Sequence, residues 1–210
     1  LAGIAYILAV VLGIVVGVVA AVNHGKWVDS ALMTISVFGI SAPAFWIAII
    51  LQIVICLKFN LLPLSGIDSF KSFILPGIAL GTRYAASIAR ITRTSMLDVL
   101  SQDYIRTAEA KGLKGWVVTI KHALRNALIP IITIAGSDLG NILTGSVLVE
   151  SVFSIPGIGK MLVDSINTRD LPIVQGGVMY IAVICVIMYL VVDLLYTVVD
   201  PRIRLGKESS

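Results

Sequence analysis

Asp138, Asn141 and Thr144 stand at intervals of three residues inside an otherwise apolar stretch. Ionisable and amide side chains in such a setting cost free energy unless they pair or line a water-filled cavity. At i, i+3 and i+6 the three drift around a helix yet can line one side of it. They fit a polar passage or a cluster of interhelical hydrogen bonds. Gln52, in another apolar stretch, poses the same alternatives. Other chemistry is not encoded. Neither HExxH nor GxSxG occurs, and His24 and His122 are isolated in the sequence. Gly157-Ile-Gly159-Lys160-Met161 looks like a phosphate loop but lacks the glycine five residues before Gly159 and the hydroxyl after Lys160. Cys56 and Cys185 lie far apart in apolar runs, with neither a CxxC pair nor a Cys/His cluster, and read as small buried apolar residues. No catalytic residue, metal ligand or bound cofactor is expected in this chain, and it is not expected to be an enzyme.

The elements that must hold these residues follow from composition. The 210 residues are 58% hydrophobic and only 13% charged, with mean hydropathy +0.99. A soluble domain carries about 45–50% apolar and about 25% charged residues, so this chain cannot cover a water-facing globule. Disorder is excluded by the same hydrophobicity. The bulk solvent is therefore lipid. A spanning helix needs about 20 mostly apolar residues, and five segments qualify: 1–22, 31–57, 74–91, 127–149 and 173–199. Arg83 and Arg90 interrupt the third. None shows strand-like alternation, and lipid demands that every backbone group be satisfied internally. The expected fold class is an all-α, polytopic transmembrane helical bundle. Glycines recur four apart at Gly13/Gly17, Gly77/Gly81 and Gly136/Gly140, a spacing that lets helix backbones approach closely.

Orientation follows from Lys and Arg. Eight of them, Arg83, Arg90, Arg93, Arg106, Lys111, Lys114, Lys121 and Arg125, face only Asp98, Asp103 and Glu109 in the same stretch. Arg202, Arg204 and Lys207 close the tail, and Lys26 lies in the first turn. Elsewhere Lys58, Lys71, Lys160 and Arg169 are balanced by Asp68, Glu150, Asp164 and Asp170. The basic stretches and the C-terminus are thus expected to be cytoplasmic. Five spans ending inside begin outside, and the chain opens at Leu1 within an apolar run, so one further span is expected upstream.

Residues 95–126 carry charge in a helical rather than a loop pattern. Tyr104, Ile105 and Ala108 share one face, and Trp116, Val117, Ile120 and Leu124 form a second stripe. Gly112 falls where a helix would end in the left-handed conformation. The pattern predicts two short amphipathic helices joined by a sharp turn and lying against the cytoplasmic face. They could seat on anionic headgroups or present Arg and Lys to a partner. Residues 151–172 read as an outer loop with Pro and Gly enough for a fixed turn, suited to a docking protein or to a neighbouring subunit.

Four stretches carry a resemblance that runs in one register over nearly the whole chain. They are Asp103-Tyr-Ile-Arg-Thr-Ala followed by Ala-Lys-Gly112; His122-Ala-Leu-Arg-Asn-Ala-Leu-Ile-Pro130; Val149-Glu-Ser-Val-Phe-Ser-Ile-Pro-Gly-Ile-Gly159; and Asp193-Leu-Leu-Tyr with Asp200-Pro-Arg202. The chain resembles the inner-membrane permeases of binding-protein-dependent ABC importers, in the oligopeptide/dipeptide/nickel branch. The resemblance implies the type I permease fold over residues 1–210, N-terminally incomplete. Residues 95–126 would be its coupling-helix segment. The family's Glu-Ala-Ala motif is replaced here by Arg106-Thr107-Ala108, its glycine is Gly112, and its Leu-Pro is replaced by Leu124-Arg125.

By the same resemblance, Arg106, Thr107, Ala108, Glu109, Gly112, Leu113 and Leu124 would dock a separate ATPase subunit. Gln52, Asp138, Asn141 and Thr144 are the residues expected along a translocation path. The implied partners are a sister permease, two cytoplasmic ATPases that use ATP-Mg, an extracytoplasmic binding protein and the lipid bilayer, with no nucleic acid. The implied function is import of di- or oligopeptides across the cytoplasmic membrane, with nickel or a metal chelate as the alternative cargo. An ion-gradient-driven carrier is the competing class; it has no obvious use for a long cytoplasmic helix pair.

Overall fold

In the computed structural model, which describes residues 1–67 and 69–199, the first apolar run forms α1 (Ala2–Val22). The side chains of Leu143, Thr144, Asp193 and residues 195–199 are outside the described set, as are Asp68, Asp200-Pro-Arg202, Arg204 and Lys207 entirely. Then come α2 (Trp27–Ser41), α3 (Ala44–Leu51) running into a π-helical turn (Gln52–Lys58), and α4 (Ile74–Leu100). After α5 (Asp103–Ala110), one unbroken helical path runs through α6 (Gly115–Val117), a π-helical turn (Val118–Leu124) and α7 (Arg125–Val152). The chain continues into α8 (Ile158–Asn167) and α9 (Leu171–Val199). No strand occurs among the described residues.

The helix α4 is the hub, packed on α1, α2, α3 and α7. Its closest partner is α1, and small residues on both sides explain why. A Cβ on Gly13 would stand 2.7 Å from the Ile88 Cβ, one on Gly17 would overlap Thr92, and one on Gly81 would stand 2.8 Å from the Ala5 carbonyl oxygen. The glycine pairs of α1 and α4 therefore bring two backbones together. Gly140 plays the same part for α9, where the Tyr189 ring occupies the space a Cβ would take.

Two apolar clusters sit at opposite ends of the bundle. One holds Ala48, Cys56, Leu75, Leu80, Ile142, Val149 and Phe153; the other holds Ile88, Met96, Ile105, Val118, Ala123 and Ile131. Along both α4 and α7, the stretch between the clusters contains a charged residue: Arg83 on one and Asp138 on the other.

Three expectations are corrected and one, the span count, is met only in part. Residues 31–57 do not form one straight span. The helices bend by 108° between Ser41 and Ala44, because Pro43 offers no N–H and holds Ala42 extended at ψ 131°. Next, three helices are long and apolar enough to cross a membrane (Ala2–Val22, Gly115–Ile142, Leu171–Val192), or four if the bent pair is one span. By this measure α4 is not among them, since it carries Arg83, Arg90, Arg93 and Asp98. Third, only the first of the two predicted short helices is separate; from Gly115 to Val152 nothing breaks the helix. Fourth, residues 151–172 are not simply a loop, because α8 occupies ten of them, with Gly159, Leu162 and Ser165 turned inward.

Candidate functional site

Two regions gather the chemistry. The first is an elbow at the end of the bundle where α4 meets α5. Ile105 and Ala108 are buried against the π-helical turn, whose Val118 and Ala123 belong to the same cluster. That apolar pair clamps α5 to the root of α7. The helix stops at Gly112, which sits at φ +76°. The Leu113 N–H donates to the Ala108 carbonyl at 3.4 Å and the Gly112 N–H to the Glu109 carbonyl at 2.9 Å. This is the paired closure that ends a helix in a left-handed residue.

The elbow turns Arg106, Thr107, Glu109, Gly112 and Leu113 outward, all exposed. Trp116, just beyond it, is 68% exposed. Arg106 lies 3.7 Å from Asp103, both largely in the open, a pair that contributes little to stability. Two residues expected on the presented face are placed otherwise. Ala108 points inward and holds the joint, and Leu124 is half-buried against the apolar cluster.

Behind the elbow is an arrangement that sequence reasoning missed. Arg93 of α4 donates through Nε to Asp29 Oδ1 at 2.6 Å and through Nη2 to Oδ2 at 2.7 Å. His24 Nδ1 lies 3.2 Å from Asp29 Oδ2, and the Gly25 N–H donates to the same oxygen at 3.2 Å. Asp29 is only 4% exposed. His24, isolated in the sequence, thus stands at the solvent side of the Asp29–Arg93 pair, which fastens the α1–α2 turn to α4.

The second region is a polar cavity of about 460 Å³ between α2, α4 and α7. It is lined by Ile40, Arg83, Tyr84, Ser87, Asp138, Asn141 and Gly145. Asp138 Oδ2 is buried and has no hydrogen-bond partner among the described residues. Asn141 donates to the Ser137 carbonyl at 3.3 Å and accepts from the Tyr189 hydroxyl at 3.3 Å, so α9 steadies it. The Tyr84 hydroxyl lies beside Gly145, where a Cβ would come within 3.3 Å of it.

Asp138 and Asn141 therefore share one cavity, as their spacing allows. The Thr144 side chain lies outside the described residues. Gln52 is elsewhere: its amide donates to the Leu64 and Val152 carbonyls at 2.9 and 3.1 Å, tying the segment after α3 to the end of α7. Arg83, Tyr84 and Ser87 went unassigned in the sequence reading. The signal was present, because an arginine in the middle of a candidate span marks a functional position; counting Arg83 with the basic loops hid it.

At the other end, Glu150 is not a free loop charge. It is 8% exposed, and its Oε2 accepts the Gly159 N–H at 2.9 Å at the start of α8. A Cβ at Gly157 would overlap the Glu150 carboxylate and one at Gly159 would overlap Val147. The Gly-Ile-Gly sequence that imitates a phosphate loop thus serves close packing of α8 on α7. Among the described residues no group of three or more His, Cys, Asp or Glu comes together to hold a metal.

Known proteins resemble this chain over most of its length. The chain is 45% identical over 196 residues to the glutathione transport system permease protein GsiC of Escherichia coli (strain K12), covering 93% of this chain and 64% of that protein. It is 46% identical over 205 residues to the dipeptide transport system permease protein DppB of Bacillus subtilis (strain 168), covering 98% of this chain and 67% of the relative. The chain thus spans about two-thirds of the length of these relatives. Among solved structures, the crystal structure of an amino acid ABC transporter with histidines superposes with TM-score 0.62 at 18% identity, over 95% of this chain and 89% of the other. At that identity the likeness concerns the fold. Residues 13–205 match the family described as binding-protein-dependent transport system inner membrane component. A helical chain with this hydropathy, this elbow and these matches belongs to that family of inner-membrane transport components.

Proposed function

We propose that the chain is the permease subunit of an ABC importer that carries short peptides across the cytoplasmic membrane. The observation that carries this reading is the elbow. Its outer face presents Arg106, Thr107, Glu109 and Leu113, while Ile105 and Ala108 bind it to the root of an unbroken helix. That helix runs from Gly115 past Asp138, and at 1.5 Å per residue it carries a push on α5 about 30 Å to the polar cavity. A flexible loop would dissipate such a push. The names of the relatives, glutathione and dipeptide permeases, support peptides as the cargo class.

In this reading two ATPase subunits seat on the elbows of this chain and of a sister permease. Their ATP-Mg-driven closure rocks α7 and α4 together, and a binding protein delivers substrate at the α8 end. The C-terminus and the elbow are cytoplasmic, and α4 and the bent α2–α3 pair each complete a crossing to give five. The decisive experiment is purification from the native membrane in mild detergent, with subunits identified by mass spectrometry and uptake of dialanine measured in proteoliposomes. Co-purifying ATPases and ATP-dependent uptake are expected. A chain recovered alone, without an ATPase even after crosslinking from Lys111 or Leu113, would overturn the reading. It would favour a gradient-driven carrier using Asp138 for its ion.

A further inference from the structure

The molecule treats its two intramolecular Arg and Asp opportunities on α4 differently. At the elbow end, Arg93 and Asp29 close into a two-pronged pair at 2.6 and 2.7 Å. In the cavity, Arg83 and Asp138 line the same space, yet no ion pair joins them among the described residues. Asp138 keeps a buried oxygen without a donor among the described residues. An uncompensated carboxylate oxygen is among the costlier features a fold can retain, and a direct pair would have removed the cost if packing were its only purpose. Opposite charges that line one cavity without pairing are instead suited to a guest that carries both charges.

The other lining residues fit such a guest. Tyr84, Ser87 and Asn141 offer hydroxyl and amide groups of the kind that bond a peptide unit, while Ile40 and Gly145 supply an apolar, narrow side. The volume of about 460 Å³ lies within the ~300–1,000 Å³ of small-molecule sites. We propose that this cavity is a binding site for a small zwitterion, such as a short peptide with both termini free. Asp138 takes the ammonium end and Arg83 the carboxylate end. The assignment rests on the importer reading for its cargo class and adds the residues that would select it.

The test uses the permease purified from its native membrane with whatever subunits accompany it, and no binding protein, so that external selection cannot mask the site. Equilibrium binding is measured for tritiated dialanine, N-acetyl-dialanine and dialanine amide. The wild type should bind dialanine about ten-fold or more above either blocked form, the scale of one charge-assisted hydrogen bond. Asp138→Asn should abolish the preference over the N-acetyl form alone, and Arg83→Gln the preference over the amide alone. Wild-type protein that binds all three peptides equally, or none, overturns the proposal without recourse to a variant. So do variants that lower all three affinities alike. Loss of this discrimination in a preparation that still holds its ATPases refutes the site and spares the importer. Discrimination in a preparation that lacks ATPases does the reverse.

Discussion

At the residue scale, the most buried ion pair among the described residues is Arg93–Asp29, whose carboxylate is almost wholly removed from solvent. A buried ion pair contributes little over an apolar isostere, but removing one partner strands the other. Arg93→Ala should therefore lower stability by about 3–5 kcal/mol, read as a fall in the thermal midpoint of the detergent-purified protein. Asp29→Ala with Arg93→Ala should cost less than Arg93→Ala alone, since no charge is left orphaned. Losses that simply add in the double variant would show that the pair does not act as a unit. The sequence counts Arg93 with a basic stretch and gives no sign of a role for Asp29. Their meeting depends on how α1, α2 and α4 cross, which no local pattern encodes.

At the element scale, the elbow was the most legible part of the chain. The stripe of Ile105 and Ala108 and the position of Gly112 are local properties, and α5 ends where turn chemistry places its end. What local pattern misjudged was the element after the turn. The stripe through Trp116, Val117 and Ile120 describes the root of a long helix as well as it describes a short one. The bend at Ala42–Pro43 was also written locally, but hydropathy over a long window averages across a single proline. Gly112→Asp provides the test at this scale. Nothing lies within 4 Å of a Cβ built there, so the cost is conformational, about 1–2 kcal/mol for a left-handed non-glycine residue, and a new carboxylate appears on the presented face. The variant should insert normally yet retain less ATPase on co-purification. Unchanged attachment and unchanged ATP-dependent uptake would remove the elbow from the docking surface.

At the scale of the whole molecule, the proposed orientation places α5 and α8 on opposite sides of the bilayer. With Cys56 and Cys185 replaced by serine, a membrane-impermeant maleimide should label Asn167→Cys in intact cells and Lys111→Cys only in inverted vesicles. The opposite pattern would invert the topology and remove the elbow from the cytoplasm. The sequence by itself determined that the chain lives in lipid, that it is helical, that a glycine-ended helix projects beside the long apolar elements, and which family it resembles. These follow from hydropathy, periodicity and turn chemistry, which act between residues close along the chain. Only the tertiary structure decided that Arg83 faces the cavity of Asp138, that Gln52 does not, that His24 joins Asp29 and Arg93, and that Glu150 caps α8. The reason is that these groups belong to different elements. Their distances are set where glycines let helices approach and where side chains such as Tyr189 fill the gaps, and that packing is a property of surfaces meeting in space.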